Sequence, residues 1–118
     1  MENEIITSAA SLSAAAKNIY DISCDLLSTR KRNKAISAGQ MRQLENAINF
    51  ALKLDSMNHT HYLVTTSRNY LKDSFKELQE YANTPFGDLL LDEIYEESQY
   101  YKNYIDDYFN LSRRDLFS

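Results

Sequence analysis

The sequence predicts an all-α fold, a single domain over residues 1–118 built as an antiparallel bundle of about four helices with long first and last helices. Three observations support this prediction. The chain has two glycines and one proline among its 118 residues, whereas β and α/β folds need many more turn residues. Apolar residues recur at steps of three and four, which is the spacing of amphipathic helices. A chain of this length holds a core without disulfides, and its one cysteine, Cys24, excludes an intrachain disulfide.

The first helix is predicted from about Asn3 to Arg32, because a heptad seam runs along it. The seam consists of Ile5, Ala9, Leu12, Ala16, Ile19, Ser23, Leu26 and Arg30. Such a seam of about 27 residues is about 40 Å long, more than a globule of this size readily covers. We therefore expect part of this helix to pack in a homodimer or larger oligomer. Cys24 lies on the flank of the seam and is expected to be a small buried apolar side chain.

The second and third helices are predicted from their capping and from their apolar repeats. Ser37 and Gln40 match a capping box, in which each side chain accepts a hydrogen bond from the other residue's backbone amide. The second helix then runs to about Met57, and its inward residues are Met41, Leu44, Ile48 and Ala51. The third repeat, Val64, Leu71, Phe75, Leu78 and Ala82, is two residues out of step with the second. This slip predicts either a turn near residue 57 or one long helix that rotates its face.

The last helix follows the clearest break in the sequence, at residues 83–87. Thr84 is suited to cap the new helix, and Pro85 fits its first position. The inward face of this helix is predicted to consist of Leu91, Ile94, Ser98, Tyr101, Ile105 and Tyr108. The same periodicity turns Tyr101 toward the core and leaves Tyr100 outside.

Charge is unevenly distributed along the chain, whose net charge is −4. Residues 1–60 hold seven lysines and arginines against six acids, while residues 61–118 hold six against eleven. A general nucleic-acid-binding protein is normally basic over most of one face, so this distribution argues against that class. It leaves room for one local basic surface and one local acidic surface.

The basic surface is a segment around the first connection, residues 30–42. Its cations are Arg30, Lys31, Arg32, Lys34 and Arg42. Cations at a helix C-terminus complement the helix dipole, which is a purely structural interpretation. The alternative is an anion site for a phosphate-bearing small ligand, a nucleotide or nucleic acid. No aromatic residue lies between positions 21 and 49, which disfavours single-stranded nucleic acid.

The acidic surface is a column on the last helix, formed by Glu93, Glu96, Tyr100 and Asp107. At about 100° per residue these four share one side of the helix, roughly opposite its apolar stripe. One interpretation is a solvated helix face. The other is a binding face for a basic partner protein, because tyrosine is a preferred hot-spot residue and the flanking charge steers association.

No motif in the sequence indicates an enzyme, so we expect a protein with no catalytic site, cofactor or metal. His59 and His61 are two residues apart, whereas helical metal sites use a spacing of three or four. Two isolated glycines exclude a glycine-rich phosphate loop. A helical ribonuclease of the nucleotide-binding-bundle type needs an arginine followed closely by a histidine, and Arg68 has no such partner.

No apolar run is longer than three residues, as in Leu89 to Leu91, which is far short of the roughly 20 residues of a membrane span. Glu2 and Glu4 stand where a secretory signal carries positive charge, so we expect a cytoplasmic protein without membrane contact. In size and charge the chain resembles small helical proteins of phages, plasmids and bacteriocin systems, including immunity proteins and inhibitors of host defence. That resemblance rests on no alignable motif and transfers no residue. It implies a protein that inhibits, neutralises or adapts a partner protein by binding it.

Overall fold

A computed structural model of the chain consists of four α-helices joined by short connections. The structure describes the backbone of residues 2–58 and 62–117 and the side chains of residues 10–55 and 62–108. The helices are α1 (Glu2–Lys31), α2 (Ala38–Asn58), α3 (Tyr62–Tyr81) and α4 (Pro85–Phe117). No strand occurs in these described ranges. The predicted all-α bundle with long first and last helices is therefore confirmed.

The four helices close into a ring, because each packs on the next and α4 returns to pack on α1. Neighbouring helices are antiparallel. Ser13, in the first half of α1, donates a hydrogen bond of 2.8 Å to Asp106 near the end of α4. Arg30, in the last turn of α1, meets Asp88 in the first turn of α4. None of the helices, over its described residues, has a stretch long and apolar enough to cross a membrane.

The predicted seam of α1 forms part of the bundle core. Its members Leu12, Ala16, Ile19, Ser23 and Leu26 are buried, whereas Arg30 is half-buried. The Ser23 hydroxyl donates to the Ile19 carbonyl at 2.7 Å. One chain therefore covers this part of the seam with its own α2 and α4. The side chains of Ile5 and Ala9 lie outside the described residues. A homo-oligomer formed through the first turns of α1 stays a prediction.

The expectation that Cys24 is buried is wrong, because its side chain is exposed. The buried stripe of α1 is completed by Ser23 and Leu27. Cys24 follows Ser23 by one residue, which is about 100° around the helix, and so passes beyond the edge of the stripe. The flank position that we expected to be covered faces solvent instead.

The first connection is held at both ends by local hydrogen bonds. Asn33 adopts the left-handed conformation with φ of 58° and ends α1, as asparagine and glycine do in this position. Its N–H donates to the Arg30 carbonyl at 2.9 Å, and the Lys34 N–H donates to the Thr29 carbonyl at 3.1 Å, which together form a Schellman motif.

The predicted capping box begins α2. The Gln40 N–H donates to the Ser37 hydroxyl at 3.1 Å, and the Ser37 N–H donates to the Gln40 side-chain oxygen at 2.9 Å. Of the two alternatives left open near residue 57, the structure has two separate helices, since α2 ends at Asn58 and α3 begins at Tyr62. The two helices pack side by side. Residues 59–61, which include His59 and His61, lie outside the described residues.

The connection from α3 to α4 also braces the first connection. Asn83 adopts the left-handed conformation with φ of 66°, and its side-chain amide makes two hydrogen bonds with the backbone of Ile36. The Ile36 N–H donates at 2.7 Å, and the Ile36 carbonyl accepts at 3.2 Å. The Thr84 hydroxyl accepts from the Gly87 N–H at 3.1 Å, which confirms Thr84 as the cap of α4. Both connections at this end of the bundle are thus fixed together.

Candidate partner-binding face on the last helix

The two sides of α4 differ as predicted. Its inward residues are buried, namely Leu91, Ile94, Ser98, Tyr101 and Ile105, while Tyr108 is half-buried. Tyr100 is 53% exposed and its neighbour Tyr101 is fully buried. The other members of the predicted acidic column, Glu93, Glu96 and Asp107, are exposed. The structure therefore brings all four column residues to one solvent-facing side of the helix.

The structure extends this column with three further exposed residues, Phe86, Leu89 and Asn103. We call the combined set the outer stripe; it consists of Phe86, Leu89, Glu93, Glu96, Tyr100, Asn103 and Asp107. Successive members are three or four residues apart throughout. Leu89 is 61% exposed and Phe86 is 46% exposed, so the end of the stripe nearest the α3–α4 connection is apolar. Sequence reasoning missed both residues, although their positions follow from stepping back along the column.

A tyrosine from α3 widens the face on one side. The Tyr70 hydroxyl donates to a Glu93 carboxylate oxygen at 3.0 Å, and the Tyr70 side chain is 43% exposed. Partial burial raises the pKa of Tyr70, and the nearby carboxylates of Glu93 and Glu97 raise it further. The sequence carries a signal for Tyr70 that we did not use, since it precedes the inward Leu71 just as Tyr100 precedes the inward Tyr101.

Two carboxylates of α4 are paired with cations and lie outside the outer stripe. Asp88 accepts from Arg30 at 2.7 Å, and Asp106 accepts from Lys102 at 2.7 Å. The acids on the outward side, including Asp92, Glu93, Glu96 and Asp107, are exposed. Lys102 is the one cation among residues 85–108. Because its charge is matched by Asp106, the outward side of α4 is strongly negative.

An open groove of about 480 Å³ runs between α1 and α4 beside the outer stripe. Its walls are formed by Lys17, Tyr20, Gln99, Tyr100, Lys102 and Asn103. The Tyr20 ring stacks on Tyr95 with centroids 5.1 Å apart, and their hydroxyl oxygens are 3.2 Å apart. This hydrogen bond, together with burial, raises the pKa of Tyr95. The wall that contains Tyr20 is thus joined to α4 through Tyr95, and Tyr100 belongs to both the groove and the outer stripe.

Within the basic segment, Arg30 is paired with a carboxylate of α4, whereas the other cations are exposed. The Arg30 guanidinium binds both carboxylate oxygens of Asp88, at 2.7 and 3.3 Å, and donates to the Lys34 carbonyl at 3.2 Å. The hydrogen bond to Asp88 raises the pKa of Arg30. Arg30 thus joins the end of α1 to the start of α4. The remaining cations, Lys31, Arg32, Lys34 and Arg42, are exposed.

A buried polar cluster lies between α2, α3 and α4, formed by Asp55, Arg68 and Tyr101. The Asp55 side chain is fully buried and lies 3.2 Å from the Arg68 guanidinium, whose side chain is 20% exposed. Burial is the main cause that raises the pKa of Tyr101, and the Asp55 charge adds to it. Within the described part of the chain, the Tyr101 hydroxyl has no hydrogen-bond partner. This cluster was missed in the sequence, although Asp55 continues the inward repeat of Met41 and Ile48.

No protein-family model, no curated protein and no solved structure matches the chain. What can be said of its function therefore comes from its own residues. Among these, the outer stripe combines exposure, apolar surface and charge, whereas the polar cluster is closed inside the core. The outer stripe is the better candidate for contact with another molecule.

Proposed function

We propose that this protein is a small non-enzymatic binding protein that inhibits, neutralises or adapts a basic partner protein. Its binding face is the outer stripe of α4. The observation that carries the proposal is the exposure of Leu89 and Tyr100, at 61% and 53%, among carboxylates on the side of α4 opposite the core. Leu89 and Tyr100 share this face with the exposed Phe86, so apolar side chains and carboxylates are combined along one stripe, unlike a single exposed apolar residue.

The energetics of this face favour association with a partner. Full burial of a leucine side chain contributes about 1.5–3 kcal/mol, so covering the exposed part of Leu89 contributes roughly 1–2 kcal/mol on the same scale. Tyr100 offers a larger, rigid side chain of the type enriched in hot spots. The carboxylates of Glu93, Glu96 and Asp107 increase the rate of encounter with a positively charged surface and disfavour acidic competitors.

The alternative function, an oligomer that binds a phosphate-bearing ligand or nucleic acid through residues 30–42, has weaker support. Arg30 is engaged with Asp88 through two hydrogen bonds. A phosphate at this position would have to compete with a carboxylate that is already in place. Salt-sensitive binding of inorganic phosphate or a nucleotide that is lost on reversing Arg32 and Arg42 would favour this alternative.

Affinity capture from the native cell tests the proposed face. Tyr100→Ala and Glu96→Lys are the test variants. Phe50→Ala is a matched control for the first, because Phe50 lies on α2, diagonally across the bundle, and is 55% exposed. Glu80→Lys, at an exposed position on α3, matches the charge reversal in the second. We expect the wild-type and control proteins to retain one basic protein that both test variants lose, with helicity unchanged.

Equal capture by the test and control variants would show that the outer stripe is not the binding face. Affinity for the captured protein should also fall as salt screens the carboxylates. The proposal places this protein in the cytoplasm. It includes self-association through the first turns of α1. Light scattering that returns the monomer mass of 13.7 kDa at micromolar concentration would reject the self-association without affecting the partner-binding proposal.

A further inference from the structure

We infer that the docking element of the partner is an α-helix that lies along α4; this inference rests on the proposed function. The outer stripe runs from Phe86 to Asp107 in alternating steps of three and four. This repeat is the pattern by which one helix meets another along a seam. At about 1.5 Å per residue the stripe is about 31 Å long. An extended strand presents side chains with a period of two and does not match such a line.

The order of residue types along the stripe specifies the chemistry of the partner helix. Phe86 and Leu89 form an apolar end, Glu93 and Glu96 follow, and Tyr100 supplies an aromatic contact farther along. The complementary helix carries aliphatic residues opposite the apolar end and opposite Tyr100. Opposite the carboxylates it carries lysine or arginine, whose alkyl stems pack on the stripe while their charges reach the acids.

A second copy of this chain does not fit the stripe. In a parallel arrangement Glu93 and Glu96 would face their own copies, and like charges at a seam repel. In an antiparallel arrangement the middle of the stripe lies close to Glu96. The Glu96 side chain of one copy then meets Glu96 of the other. Phe86 would then face Asp107, and no apolar residue would meet another. The charge pattern therefore favours a basic helix from another protein.

Three synthetic 22-residue peptides of identical composition test this inference by fluorescence anisotropy and circular dichroism. The first carries Leu, Leu, Lys, Lys, Leu, Asn and Lys at the seven positions of a 3–4 repeat, which complements the stripe in parallel orientation. The second carries the reverse order, for antiparallel orientation. The third distributes the same residues with a period of two, so that no helical face forms.

We expect one ordered peptide to bind at least about tenfold more tightly than the third peptide, a difference of about 1.4 kcal/mol, and to gain helicity on binding. Leu89→Ala should remove most of that preference, whereas Phe50→Ala should retain it. Equal, salt-sensitive binding of all three peptides would overturn the helical inference and leave the proposed acidic binding face standing. Absence of binding by both ordered peptides would also overturn the helical inference. The proposed function is decided separately by the capture experiment, which uses no peptide.

Discussion

Gly87 lies in the first turn of α4, where the last turn of α3 approaches it closely. A Cβ atom at this position would overlap the Tyr81 carbonyl oxygen and would lie 2.9 Å from its carbonyl carbon. Both atoms belong to the backbone, so a side-chain rotation cannot relieve the contact. Gly87→Ala must therefore shift the α3–α4 connection by about 1 Å, since carbon atoms pack optimally at about 3.5 Å or more.

The expected loss of stability follows from what that shift disturbs. The Gly87 N–H donates to the Thr84 cap, and losing such a cap costs about 1 kcal/mol. Forcing an extra methyl group into a packed site costs about 1–3 kcal/mol. The better helix propensity of alanine offsets up to about 1 kcal/mol. The net expectation is a decrease of about 2 kcal/mol in the free energy of unfolding.

The matched control is Gly39→Ala in the first turn of α2. There a Cβ atom would meet only the Ser37 hydroxyl oxygen, at 3.8 Å, and Gly39 has no positive φ angle. We expect this variant to be more stable than wild type by about 0.5 kcal/mol. Urea titration followed by circular dichroism at 222 nm measures both changes. A Gly87→Ala protein as stable as the Gly39→Ala protein would refute the steric argument.

Three further predictions concern the polar cluster and the connections. Tyr101→Phe should leave the stability at neutral pH unchanged or raise it by up to about 1 kcal/mol, because the hydroxyl is buried without a partner in the described part of the chain. Since the pKa of Tyr101 is raised above 10.0 on folding, the unfolded chain releases this proton first. Stability should therefore fall above about pH 10, and urea titrations at pH 11 should show a loss about 1 kcal/mol larger for wild type than for Tyr101→Phe. Asp55→Ala should lower the free energy of unfolding by about 3 kcal/mol, but by clearly less when Arg68 is already replaced in an Arg68→Met variant. An equal loss in both backgrounds would show that Asp55 and Arg68 are not coupled. Asn83→Gly removes both hydrogen bonds to Ile36 and still suits the left-handed backbone at this position. It should lower the free energy of unfolding by about 1–2 kcal/mol, and an unchanged melting temperature would contradict the role of Asn83 in joining the two connections.

The helices and their inward faces could be predicted because both are local properties of the chain. The inward residues of α3 and α4 repeat every three or four positions, and the capping box at Ser37 and Gln40 needs only a spacing of three. Thr84 and Pro85 mark the start of α4 in the same local way. The exposure of Tyr100 follows from the same periodicity, since it lies opposite the stripe that includes Leu91.

Apart from Phe86 and Leu89, the features that escaped prediction depend on contacts between helices. Asp55 lies on the inward repeat of α2, but its pairing with Arg68 requires the register of α3 against α2. The need for glycine at position 87 depends on the backbone of Tyr81, which is known only once α3 and α4 are placed together. Tyr70 joins the acidic face only because α3 packs beside α4. Cys24 was misjudged because the width of a buried stripe depends on how closely the neighbouring helices approach.

The closure of the ring between α1 and α4 has a consequence for synthesis of the protein on the ribosome. Of the four helices α1 is translated first, and its residues Leu12, Ala16 and Ile19 share the core with α4, the last of the four to be translated. Until α4 has left the exit tunnel, α1 and α2 hold only part of their final contacts, and an apolar strip of the nascent chain stays open to water. Folding of this bundle is thus completed only once α4 has emerged, and the unfinished chain is the species most open to aggregation or to chaperone binding.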